Sequence, residues 1–122
     1  MQHHVDRFYS AVLVLAGDGN IKQRLISAYA ENLDDISEEE LPGDLKASFL
    51  DLKHELKSVP PVQGEGAVCA TVRKMSAEQA SSCARKLLAL YSGLMALREE
   101  TAAERRAQAS NQSQPVLVKS VS

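Results

Sequence analysis

The chain has 122 residues, a net charge of −2, 44 % apolar residues, few aromatics and no Trp. That is the length of one domain with one modest core, packed by Leu, Ala and Val, which suits helices better than a sandwich of strands. So small a charge argues against a general nucleic-acid binder, and Cys69 and Cys83 lack the Cys-x-x-Cys spacing of a thioredoxin-type redox motif.

Val5, Phe8, Val12 and Leu15 recur at spacings of three and four, one face of a first helix, and Leu13 and Ala16 widen that stripe. Gly17 or Gly19 can stop it in a left-handed conformation. Asp18 is then placed to cap a second helix, in which Ile21, Leu25, Ala28, Tyr29 and Leu33 share a face. Ser37-Glu38-Glu39-Glu40 is a capping-box pattern that Pro42-Gly43 interrupts, leaving room for a single turn. A third main helix starts at Pro42 or Gly43, carries Leu45, Phe49, Leu52 and Leu56 on one side, and ends at Ser58-Val59-Pro60-Pro61.

Gln63 to Gly66 reads as a flexible connection. Val68, Val72 and Met75 predict a short helix with Arg73 and Lys74 at its negative end. Val68, Ala70 and Val72 also alternate as a strand would, but no second strand is present to pair with it. Ser76 and Gln79 form another capping box and open the longest helix. Ala80, Cys83, Leu87, Leu90, Leu94 and Leu97 keep a three-four rhythm along it, flanked by Ala84, Leu88, Tyr91 and Met95. Run through to Ala107, it would be about 45 Å long against a body about 30–35 Å across. The last turns must protrude, pack on a partner or fray; fraying is the default, because Arg98 to Arg106 has no opposite charges three or four apart. From Gln108 to Ser122 the composition is that of a disordered tail, with Val116-Leu117-Val118 as its one apolar cluster.

Charge is segregated. Glu31 to Glu55 holds nine acids against Lys46 and Lys53, whereas Ala70 to Ala109 holds seven cations against four Glu. Such regions attract each other within a fold or between two copies. Lys22 and Arg24, beside two glycines at a helix start, are candidates for holding a phosphate, although Asp18 competes for the same amides and no Gly-x-Gly-x-x-Gly or P-loop spacing is present. Arg73, Lys74, Arg85 and Lys86 are candidates for a basic patch facing an acidic partner, a nucleotide or a nucleic-acid backbone. The bland reading gives Arg73 and Lys74 to a helix end and Arg85 and Lys86 to water.

Asp34, Asp35, Glu38, Glu39 and Glu40 could gather a divalent cation, but acids before a helix are expected from its dipole, and a solvated acidic loop is the plainer reading. His3, His4 and His54 show no zinc-site spacing. Cys69 would need His54 as a base to act as a nucleophile, and nothing in the sequence joins them. Ala11 to Ala16, the longest early apolar run, is too short to span a bilayer and lacks a basic leader, so a soluble cytoplasmic protein is expected.

The runs Gly17-Asp18-Gly19-Asn20-Ile21-Lys22-Gln23-Arg24-Leu25 and Val72-Arg73-Lys74-Met75-Ser76-Ala77-Glu78-Gln79-Ala80, with Leu41-Pro42 between them, resemble a family of small uncharacterised bacterial proteins. In that family a Gly-Asp-Gly junction and an Arg-Lys-Met-Ser junction recur in this order. The resemblance covers about Phe8 to Leu94 and implies a bacterial cytosolic helical protein, with no activity, ligand or catalytic residue attached.

The expectation is an all-α, single-domain bundle of about five helices with a long C-terminal helix: a helical domain over 1–107 and a tail over 108–122. The leading functional expectation is a non-enzymatic module working by protein–protein contact, a homodimer being one form, with no cofactor and no metal. The alternative is a binder of nucleic acid or a phosphorylated ligand through Lys22, Arg24, Arg73, Lys74, Arg85 and Lys86.

Overall fold

The computed structural model describes residues 2–61 and 63–121, with side chains from His4 to Ala109 apart from Val62. The chain is all-α: α1 (Gln2–Leu15), α2 (Ile21–Asn32), a 3-10 turn (Glu38–Glu40), α3 (Gly43–Leu56), α4 (Ala67–Lys74) and α5 (Ala77–Val121). No strand forms among the described residues, so Val68 to Val72 is helix. Apart from its first two residues, the tail expected over 108–122 lies outside the described side chains.

α5 is the spine. The start of α2 shares a small cavity with Arg73 and Ala77, which puts the α1–α2 hairpin beside the beginning of α5. Tyr9 then meets Tyr91 with ring centroids 6.0 Å apart, so α1 runs antiparallel to α5. α3 does the same on the other flank: Leu45 lies against Gly93, and Glu55 bonds to Lys86. A Cβ at Gly93 would fall 2.6 Å from Cδ2 of Leu45, so the bare glycine lets the two helices approach.

Between these helices Phe8 and Phe49 meet edge-on, 5.7 Å apart at 66°. Leu25, Tyr29, Leu33, Leu52, Leu56, Leu87 and Leu94 close the core around them. Leu87 and Leu94 lie on the stripe expected for α5.

Both capping boxes form. Ser76 Oγ accepts from the Gln79 amide at 3.0 Å, and Gln79 Oε1 accepts from the Ser76 amide at 2.8 Å. Ser37 and Glu40 pair in the same way around the 3-10 turn.

Two expectations need correction. Asn20, not Asp18, caps α2: its Oδ1 accepts from the Gln23 amide at 2.9 Å. The helix begins at Ile21, so the capping position is the residue immediately before it, and Asp18 stands two residues outside. On α1 the fully buried face is Val5, Phe8, Ala11 and Leu15, while Leu13 is 54 % exposed and Ala16 is exposed too. Leu13 sits about 140° round the helix from Phe8, beyond the arc that α2 and α5 cover.

The acidic segment is solvated as expected, with Asp34, Asp35, Glu39 and Glu40 exposed, and its carboxylates are paired as well. Asp34 pairs with Lys57, Asp35 with Arg7, Glu38 with Lys53, Glu39 with Lys46 and Glu40 with His4. Five carboxylates crowded before α3 repel one another, and cations from α1 and α3 offset that repulsion while fastening the turn to the bundle.

Candidate interaction surfaces

The six candidate cations do not make one surface. Lys22 projects from the first turn of α2, where its Nζ donates to the Arg73 carbonyl at 2.8 Å and so satisfies a free carbonyl at the end of α4. Arg24 turns back on its own hairpin. Its Nε donates to the Gly19 carbonyl at 2.9 Å and its Nη1 to the Leu15 carbonyl, closing the C-terminus of α1. Gly19 at φ +101° lets the chain reverse inside that clamp. The Arg73 guanidinium is paired with the Glu65 carboxylate, and Lys86 donates to Glu55 at 2.7 Å.

Lys74 and Arg85 are exposed. Tertiary structure therefore brings Lys22 and Arg73 to one corner, where α2, α4 and α5 meet, and turns Lys74 towards Glu55, Met75 and Gln79. It points Arg24 into the hairpin and sets Arg85 and Lys86 along α5. A cavity of about 310 Å³ at that corner is lined by Asn20, Ile21, Lys22, Gln23, Ile26 and Arg73, with Ala77 at its edge.

An apolar surface sits on the outside of α1 and α5. Tyr9 is 49 % exposed, Leu13 54 % and Leu88 43 %. Leu13 lies one turn after Tyr9, and Leu88 one turn before Tyr91. Because Tyr9 and Tyr91 are in contact and the helices run antiparallel, Leu13 and Leu88 fall at the same level. Val12 and Met95, half-buried, close the strip towards the core. Sequence periodicity assigned Leu13 to the buried stripe. The signal that could have corrected it was its five-residue offset from Phe8, which puts it on the far side of a helix whose other face is already apolar.

The thiols are held in acidic surroundings. Cys69 Sγ donates to Glu65 at 3.4 Å, and burial followed by that carboxylate raises the thiol above its ordinary value. Cys83 is fully buried, and burial, then Glu55, pushes it up to about 11. A reactive thiolate needs its charge stabilised; Arg73 acts in that direction on Cys69 and Lys86 on Cys83, but burial and the neighbouring carboxylate outweigh them at both thiols. His54 lies on the exposed side of α3. Among the described residues no three His, Cys, Asp or Glu side chains come together as a metal site requires. Among the described residues no helix is long and apolar enough to cross a membrane.

No family model, curated protein or solved structure matches this chain.

Proposed function

We propose that this chain is a small non-enzymatic protein of the bacterial cytosol that acts, in a regulatory role, by contact with another protein chain. The contact surface is the outer face of α1 and α5. The observation that carries this reading is the grouping of Tyr9, Leu13 and Leu88, three large apolar side chains about half exposed on two packed helices. Covering each half-exposed side chain is worth about 1 kcal/mol, so together they can anchor a partner. The non-enzymatic part draws support from Cys69, whose carboxylate neighbour disfavours the nucleophilic form.

The test is a photo-cross-linking side chain placed at Leu13 or at Leu88, with Ala47 on the outside of α3 as the control position. Protein adducts are expected in cell extract from the first two positions and not from the third. Excess wild-type chain should compete them away, and the Leu13→Glu variant should not. Absence of any adduct at Leu13 and Leu88 overturns the reading.

A second reading has one observation in its favour: Lys22 and Arg73 line the same cavity as the starts of α2 and α5. It is recognition of nucleic acid or a phosphorylated ligand at that corner. Polyanion affinity that falls steeply with salt, and is lost in Lys22→Glu, would carry it.

A further inference from the structure

Along α5, Glu78, Arg85, Ser92, Glu99 and Arg106 recur at every seventh position. All five are exposed. Seven residues are two helical turns, so the five form one line with steps of about 10.5 Å, drifting only about 20° per step. Ser92, at its middle, is diametrically opposite the buried Cys83, so the line follows the outer ridge of the spine. Among the described residues none of the four charged side chains has an ion pair or hydrogen bond.

The order of charge is minus, plus, neutral, minus, plus. Reversed about Ser92, the line becomes its own complement. Lay a second copy antiparallel on the first, and Glu78 faces Arg106 of the second copy while Arg85 faces its Glu99. The same two pairs repeat on the other side of the axis. Parallel alignment instead sets like charge against like at all four positions. We propose that α5 pairs antiparallel with a second copy of this chain about a two-fold axis through Ser92. The proposal rests on the contact function assigned above and names its partner.

The small Ser92 side chain lets the two helices come close at the axis. Leu88 and Met95 fill the intervals beside it, and Tyr9 and Leu13 flank the seam from α1. The pairing also gives the over-long helix a partner. Antiparallel alignment between Tyr9 and Tyr91 carries the start of α1 only to about the level of residue 98 of α5. Residues 103–106 are all exposed, and in the pair they lie along residues 78–81 of the second copy. Exposed ion pairs add little affinity; they set direction and register, while the apolar strip supplies the attraction.

Sedimentation equilibrium of the full chain from roughly 1 to 200 µM tests this. The expected mass rises with concentration to twice the 13.3 kDa of one chain. Arg85→Glu alone and Glu99→Arg alone should each weaken the dimer about tenfold or more. The double variant Arg85→Glu/Glu99→Arg, which re-forms both pairs with reversed sign, should return to within about threefold of wild type. Helix content by circular dichroism should not change, because both side chains are exposed. A chain that stays monomeric overturns the proposal, and so does a dimer that the single variants leave intact or that the double variant fails to restore. A monomer that still gives the Leu13 adduct with a different protein sinks self-pairing and leaves the contact function standing. A dimer that gives no adduct at Leu88, between copies or with another protein, overturns both the contact face and this pairing.

Discussion

Glu55 of α3 accepts a 2.7 Å hydrogen bond from Lys86 of α5 and acts on the buried thiol of Cys83. One carboxylate thus joins two helices at the surface and adds to the burial that keeps the thiol beneath them protonated. Lys86 holds Glu55 below its ordinary value, and burial works weakly against that.

The thiols should react in order. Cys69 is half-buried and Cys83 fully buried, so an aromatic disulfide reagent should label one equivalent per native chain and the second only on unfolding. Equal rates at both thiols would contradict this packing.

Alkaline pH should destabilise the fold early. An unfolded cysteine ionises near pH 8.5, whereas folded Cys83 stays protonated up to about 11. For this raised acid the stabilising contribution is complete below the unfolded value and is lost as pH rises towards the folded one. The urea midpoint should therefore fall between about pH 8.5 and 11, and Cys83→Ala should flatten that fall. Tyr29, raised chiefly by burial and then by Asp34 and Glu38, adds a further loss above about pH 10 that the variant keeps.

Acid pH has the opposite sign. Glu38 is lowered by its own backbone hydrogen bond and then by Lys53, and Glu65 by Arg73. With Glu55 that makes three carboxylates whose folded values lie below their unfolded ones. Their contribution is full above roughly pH 4.3 and disappears as pH drops through the folded values. A midpoint that holds steady from pH 7 to 5 and then drops is expected. The combined Glu38→Gln/Glu55→Gln variant should show a shallower drop.

Tyr29→Phe should not cost stability. The Tyr29 hydroxyl is buried with no hydrogen-bond partner among the described residues. Removing an unsatisfied buried polar group is neutral or favourable, by about 1 kcal/mol, in contrast to most core substitutions. Thermal unfolding of the variant decides it, and a clear loss of stability would mean the hydroxyl is bonded.

The caps separate two neighbouring residues. Asn20→Ala and Ser76→Ala should each cost about 1 kcal/mol in chemical denaturation, because each leaves a helix amide unsatisfied. Asp18→Ala should stay within about 0.5 kcal/mol, since Asp18 lies outside the α2 cap.

Helix number, the two capping boxes, the Pro60-Pro61 stop and most of the buried stripe were legible in the sequence. Each depends on residues three or four apart, or on the backbone limits of Pro and Gly, and such short-range constraints act in any fold. Leu13 and Asp18 were misread for the same reason. Periodicity tells which faces are apolar, but not how wide an arc the neighbours cover, nor on which residue a helix begins.

Charge was decided by tertiary structure alone. Four of the six candidate cations are committed to partners: Arg24 and Arg73 to near neighbours in the chain, Lys22 and Lys86 to residues 51 and 31 away that no local pattern could name. The line of alternating charge on α5 lies between the two cases. Its seven-residue period was written in the sequence, but only the packed bundle left that ridge facing outward, because α1 and α3 cover the flanks of the spine and none of the described residues covers its back.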